Sequence, residues 1–132
     1  LAQVALIYLV AALVLVTRVG DLAFGAGTAK FYENYAGVGG PPLVQRSTRL
    51  LANQFEFPVL FFVLIGMMVA TGSADPLMQI GAWVFVVGRW THALVQLLAN
   101  RLWLRAPVFM VSNLVLLAMW ARLAQLGYEA IG

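Results

Sequence analysis

The chain has 132 residues, of which 63% are hydrophobic and 10% are charged, and its formal net charge is +3. So small a charged fraction excludes an ordinary soluble domain and indicates an integral membrane protein, and basic residues that form no run do not predict a nucleic-acid partner. The sequence contains no cysteine, which excludes disulfides, thiolate metal sites and a cysteine nucleophile.

Four apolar stretches follow one another, each long enough for a helix to cross about 30 Å of hydrocarbon. Lipid offers no water to unpaired backbone groups, and the stretches lack the alternation of a barrel, so they predict helices. The predicted helices cover residues 1–19, 44–71, 77–102 and 107–126. The sequence therefore predicts an all-α, integral membrane four-helix bundle, with residues 1–132 as one domain in contact with membrane lipid.

The first predicted helix is rich in Val, Leu and Ala and is expected to end near Arg18, Gly20 and Asp21. Residues 20–43 are rich in glycine and contain the pair Pro41 and Pro42, which predicts a long surface loop. Its aromatic residues are expected to anchor it at the membrane interface.

The second predicted helix carries Arg49, Asn53 and Glu56 at spacings that place them on one face. A carboxylate near the middle of a membrane costs several kcal/mol, so Glu56 needs a partner. Pro58 follows directly and predicts a kink that opens space for a ligand.

The third predicted helix carries a second polar face, formed by Arg89, His92, Gln96 and Asn100. At helical rise, Glu56 and Arg89 lie about 18 and 21 Å from the same membrane side, which predicts an ion pair. The polar residues would then line a funnel. The alternative is that these groups only join helices across their interfaces.

The basic residues predict the orientation. Most lie on the side that holds loops 20–43 and 102–106, which makes that side cytoplasmic by the positive-inside rule. The single histidine argues against a metal site, and neither a Ser-His-acid arrangement nor a phosphate or dinucleotide motif is evident.

Two runs resemble a known family. Residues 46–61 are RSTRLLANQFEFPVLF, which resembles R-x-x-R-x-x-x-N-x-x-E-x-x-P of the MAPEG family, membrane-associated proteins in eicosanoid and glutathione metabolism, with Pro58 one residue early. Residues 88–109 are GRWTHALVQLLANRLWLRAPVF and resemble the family's third helix and its turn into the fourth. A bacterial branch is most similar, and its S-N-x-x-L element with a following Trp matches Ser112, Asn113, Leu116 and Trp120.

The resemblance implies a homotrimer, in the bacterial inner membrane, that holds glutathione as cosubstrate between subunits near the cytoplasmic face. The family's binding residues fall on Arg49, Asn53, Glu56 and Arg89. His92 joins them as a predicted binding residue because it lies one turn from Arg89 on the same face.

Two positions depart from the glutathione-conjugating members of the family. Gln96 stands where those members have a tyrosine, and Phe109 stands where several have an arginine that stabilises the thiolate. Arg101 and Arg105 are the candidate catalytic residues that could replace this arginine.

The sequence thus predicts a protein that binds glutathione or a related thiol and conjugates or reduces a lipophilic small molecule, as a transferase or peroxidase. The alternative is a noncatalytic membrane protein, either a lipid-binding module or an accessory subunit of a larger membrane complex. A transporter or channel is disfavoured because the chain is short and shows no internal repeats.

Overall fold

The computed structural model describes residues 1–24, 41–99 and 101–131. Most of the predicted loop 20–43, with its aromatic residues beyond Phe24, and Asn100 lie outside these ranges. The described residues form five helices: α1 (Ala2–Phe24), α2 (Pro42–Gln54), α3 (Phe57–Thr71), α4 (Pro76–Leu98) and α5 (Leu102–Ile131). The prediction of an all-α protein is confirmed.

Three stretches of the described chain are long and apolar enough to cross a membrane: Ala2–Phe24, Pro42–Thr71 and Leu102–Glu129. The second of them contains α2 and α3. Helix α4 is also long enough, at about 34 Å, but the polar residues on its buried face lower its mean hydropathy. The protein is therefore an integral membrane protein.

The second predicted span is interrupted close to the predicted kink. Helix α2 ends at Gln54, and Glu56 caps α3 with φ −94° and ψ −106°, outside the helical region. Pro58 explains the interruption, because it has no N–H to donate to the preceding turn and its ring would clash there. The first backbone bond after the break runs from Val59 N to Glu56 O, at 3.2 Å.

By its contacts the chain divides into two compact units, Leu1–Gln54 and Phe55–Gly132. In the first unit, α1 and α2 pack antiparallel. Gln3 Nε2 donates to Gln54 Oε1 at 3.0 Å at one end of the pair, and Thr17 Oγ1 bonds Ser47 Oγ at 3.1 Å toward the other. Apolar side chains fill the space between, which makes this unit a helix pair with polar contacts near both ends.

Helix α1 is longer than predicted. The sequence placed its end near Arg18, Gly20 and Asp21, but the helix continues to Phe24. Arg18 Nη2 donates to Thr48 Oγ1 at 3.3 Å, and Asp21 is buried. The polar residues at this end therefore lie against protein rather than marking the exit into water.

In the second unit, α5 packs against both α3 and α4. Helices α4 and α5 approach closely, since a Cβ at Gly88 would overlap Ser112 Oγ and one at Gly81 would lie 2.9 Å from Met119. Glycine at these positions lets the two backbones come together. Helix α3 joins through the stacked rings of Phe61 and Phe85, whose centroids are 4.5 Å apart.

The predicted loop 102–106 is wrong, because these residues are helical. The carbonyl of Arg101 accepts hydrogen bonds from the backbone N–H groups of Leu104 and Arg105, and this begins α5 five residues before Pro107. Pro107 lies inside the helix and costs it one backbone donor. Helix α4 ends at Leu98 rather than at residue 102, so the connection from α4 to α5 is short.

Candidate functional site

The polar face of α4 turns into the second unit. Arg89 is the largest fully buried side chain there, at 0% exposure, and its Cζ lies 5.7 Å from the centroid of the Phe109 ring on α5. A guanidinium above an aromatic face is attracted by the ring's negative face. Arg89 is thus a cation held inside the protein by α4 and covered by α5.

Glu56 supplies negative charge to this region. Its carboxylate acts on Arg89 as a nearby opposite charge and not as a hydrogen-bond acceptor, and its side chain is exposed at the break before α3. The structure therefore brings Glu56 and Arg89 into electrostatic contact, by attraction through space rather than by the direct ion pair that the sequence predicted.

His92 lies one turn after Arg89 and is 3% exposed. Its Nε2 lies 3.2 Å from Oε1 of Gln96, which is also buried. The ring of Phe109 lies beside it, with the centroids 5.5 Å apart and the planes at 49°. Within the described part of the chain, His92 Nδ1 has no hydrogen-bond partner.

Two aromatic rings cover this polar group. Phe57 meets Phe109 edge to face, with centroids 5.5 Å apart and an interplanar angle of 81°. Phe57 is 37% exposed and Phe109 is half-buried, so the pair lies between the buried arginine and the surface of the unit. We call Phe57 and Phe109 the aromatic cover. Its low polarity strengthens every charge interaction beneath it.

The two catalytic candidates differ in position. Arg105 is half-buried in the first turn of α5, and both its charge and its backbone act on the His92 ring. Arg101 precedes the helix with an exposed side chain, and its described contacts are those of its backbone carbonyl. Only Arg105 is brought to the polar group.

The remaining predicted binding residues belong to the first unit. Arg49 is exposed and Asn53 is half-buried, one turn apart on α2. The predicted site residues thus divide between the units, with Glu56, Arg89 and His92 in the second. Among the residues that the structure describes, no cluster of His, Cys, Asp and Glu is suited to a metal ion.

The sequence did not predict the part that Phe109 takes in this site. It noted Phe109 only as a substitution for an arginine, whereas the ring contacts both Arg89 and His92. The sequence did contain a signal, since Gly88 precedes Arg89 on a predicted membrane helix and a small residue there lets a neighbouring helix approach closely. Gly88 against Ser112 brings α5, and with it Phe109, to this position.

Comparison with known proteins gives one match. The family model described as MAPEG family matches residues 1–125. Searches among curated proteins and among solved structures found no significant similarity.

Proposed function

We propose that this chain, which belongs to the MAPEG family, binds glutathione or a related thiol and uses it to conjugate or reduce a lipophilic substrate. The observation that carries the proposal is Arg89, a fully buried guanidinium on a membrane helix. Charges inside a membrane protein are costly and are retained mainly where they bind or react.

Glutathione suits the chemistry of these residues. It carries two carboxylates, which arginine binds through charge-assisted hydrogen bonds, and an ammonium group, which a carboxylate such as Glu56 can accept. We assign ligand binding to Arg89, Glu56 and His92, together with Arg49 and Asn53 of α2. The assignment of Arg49 and Asn53 rests on the family motif that they match.

The proposed reaction requires a thiolate, since the thiolate and not the thiol is the nucleophile. A nearby cation lowers the pKa of a thiol, and we assign this role to Arg105 because its charge reaches the polar group around His92. Binding both reactants side by side supplies the rest of the acceleration by proximity. The lipophilic partner would arrive through the bilayer, which the exposed apolar side chains of α5 face.

Assembly and orientation are part of the same proposal. We propose a homotrimer in a bacterial inner membrane, with the polar mouth of the site on the cytoplasmic side. Family membership supports the trimer, and the basic residues in α2 and at the start of α5 support the orientation.

A noncatalytic role is the competing proposal, and one observation favours it. Where conjugating members of the family carry an arginine, Phe109 covers Arg89, and where they carry a tyrosine, Gln96 bonds His92. A lipid-binding module, or an accessory subunit of a larger membrane complex, could retain the polar group for packing alone.

Binding of labelled glutathione to the detergent-purified protein distinguishes the thiol-binding proposal from the noncatalytic one. Replacing Arg89 by Leu should weaken binding on the order of tenfold to a hundredfold, because a charged hydrogen bond is lost. Arg89→Lys should retain part of the affinity. Thermal melting of each variant checks that the fold persists. Wild-type protein that binds no glutathione would contradict the proposal and favour the noncatalytic role.

A further inference from the structure

The ring of His92 is held in one orientation. Its Nε2 lies 3.2 Å from Gln96 Oε1, and Phe109 packs on it from α5. Both His92 and Gln96 are at least nine-tenths buried, so neither side chain has solvent in which to turn. Gln96 therefore fixes which ring nitrogen faces the helix and which faces the interior.

The second ring nitrogen, Nδ1, is the one that could accept a proton. In a neutral imidazole one nitrogen donates and the other accepts. In the tautomer that donates from Nε2 to Gln96 Oε1, Nδ1 carries the lone pair, and this tautomer is the first part of the inference made below. Nδ1 is buried and has no hydrogen-bond partner among the residues that the structure describes. A buried acceptor of this kind is unfavourable until a ligand brings a donor to it.

The charges around the ring select the donor. Arg89 on α4 and Arg105 on α5 both act on His92, and Glu56, which caps α3, acts on Arg89. Two nearby cations repel the ammonium group of glutathione and attract an anion. Of the donors on glutathione, the thiol is the one that becomes an anion near neutral pH when it gives up its proton.

We infer that Nδ1 of His92 accepts the proton of the bound thiol and that Gln96 is the positioning residue that presents it. The S–H bond breaks, an Nδ1–H bond forms, and the electron pair remains on sulfur as a thiolate beside Arg89 and Arg105. The imidazolium then gives this proton to the leaving group of the second substrate. The inference rests on the proposed function.

The chain has a single histidine, which makes the test direct. In protein labelled with ¹⁵N-histidine, the two ring nitrogens of His92 give the only histidine signals. Without glutathione, Nε2 should be protonated and Nδ1 should not. With glutathione bound, Nδ1 should gain a proton while the bound sulfur shows the ultraviolet absorbance of a thiolate.

Variants separate proton transfer from packing. In His92→Gln the thiolate absorbance of bound glutathione should titrate at a higher pH than in the wild type, because the proton acceptor is lost, while Arg89 and Arg105 still hold the pKa of the thiol below about 8.5, the value of a free thiol. Gln96→Leu frees the ring and should move the titration part of the way. Thr91→Val is the matched control, since Thr91 is exposed on the same helix and bonds its own backbone at Val87 O, and it should leave the titration unchanged.

The outcomes are distinct. Glutathione that binds while Nδ1 stays unprotonated would overturn the inference and leave the proposed function standing, as would an unchanged titration in His92→Gln. If His92→Gln fails to fold, the titration of bound glutathione in Gln96→Leu is the test, and an unchanged titration there would overturn the inference. Wild-type protein that binds no glutathione would overturn the proposed function and this inference with it.

Discussion

Glu56 acts on a charge that it does not contact by a hydrogen bond. The carboxylate is exposed at the break before α3, while the Arg89 guanidinium that it attracts is fully buried. Solvent around the exposed Glu56 carboxylate screens the attraction. The attraction that remains still stabilises the fold, because the buried guanidinium of Arg89 has lost its contact with water. A change at position 56 therefore reports on how far Arg89 depends on a neighbour.

Replacing Glu56 by Gln should lower the free energy of unfolding by about 1 kcal/mol, since it removes the opposite charge and keeps the side-chain shape. Thermal melting in detergent measures the loss. Glu129→Gln serves as the control, because Glu129 is an exposed acid near the end of α5. Equal melting temperatures for Glu56→Gln and the wild type would show that Arg89 is satisfied without Glu56.

At the scale of the element, the contact between α4 and α5 depends on Gly88. A Cβ there would overlap Ser112 Oγ, which donates to Val108 O at 2.8 Å and would have to give up this bond to move away. Gly88→Ala should destabilise the protein by about 1–3 kcal/mol, the usual cost of overpacking a well-packed contact. Chemical denaturation in detergent measures it.

Two further variants of the second unit test the prediction for Gly88→Ala, one as a control and one as a compensating change. Gly66 on α3 has open space around it, so Gly66→Ala should be neutral or mildly stabilising. Adding Ser112→Ala to Gly88→Ala removes the overlapping hydroxyl and should recover part of the loss. Equal effects of Gly66→Ala and Gly88→Ala would show that α4 and α5 do not rely on this approach.

The connection between α3 and α4 contains Asp75, whose carboxylate accepts two hydrogen bonds that depend on pH. Asp75 Oδ1 accepts from Met78 N at 2.7 Å, and Oδ2 accepts from Arg122 Nε at 3.1 Å. The Met78 N–H, and to a lesser degree Arg122, hold the pKa of the Asp75 carboxyl below its ordinary value. An Asp with a lowered folded pKa stabilises the fold above its unfolded pKa and loses that contribution as the pH falls through the folded one.

Asp75→Asn should therefore lower the melting temperature by a few degrees at pH 7, since Asn can still cap α4 but cannot pair with Arg122. The difference from the wild type should shrink as the pH falls below about 4. Melting curves across this range measure it, with Gln79→Glu as a control for added charge on the next turn. A melting-temperature difference between Asp75→Asn and the wild type that does not change with pH would contradict this role of the Asp75 carboxylate.

Several elements could be predicted from sequence because the physics that forms them is local. The polar period of α4 predicted a shared face, and the structure buries Arg89, His92 and Gln96 together. Pro58 predicted an interruption, which the structure places at the residues just before it. Each follows from the helical period or from the missing N–H of proline.

Other features could not be predicted in this way. Pro107 was taken as a helix start, but neighbouring backbone bonds from the carbonyl of Arg101 begin α5 earlier. The contact of Phe109 with Arg89 depends on the register of two helices, and the close approach of Gly88 to Ser112 fixes it. Tertiary packing, not local preference, decides such contacts.

At the scale of the whole molecule, a short integral membrane chain carries a fully buried arginine and a histidine whose Nδ1 lacks a partner in the described structure. Apolar side chains are exposed on the outside of its helices, where a membrane protein meets lipid. These features support the proposal that the protein assembles around a bound thiol cosubstrate.

Native mass spectrometry of the detergent-purified protein, with and without millimolar glutathione, tests this claim most directly because it reports subunit number and bound mass together. We expect trimers that gain up to three glutathione masses, and loss of that gain in Arg89→Leu. Trimers that stay empty at saturating glutathione would contradict it, and would identify the polar group around Arg89 as a device for packing or for a different partner.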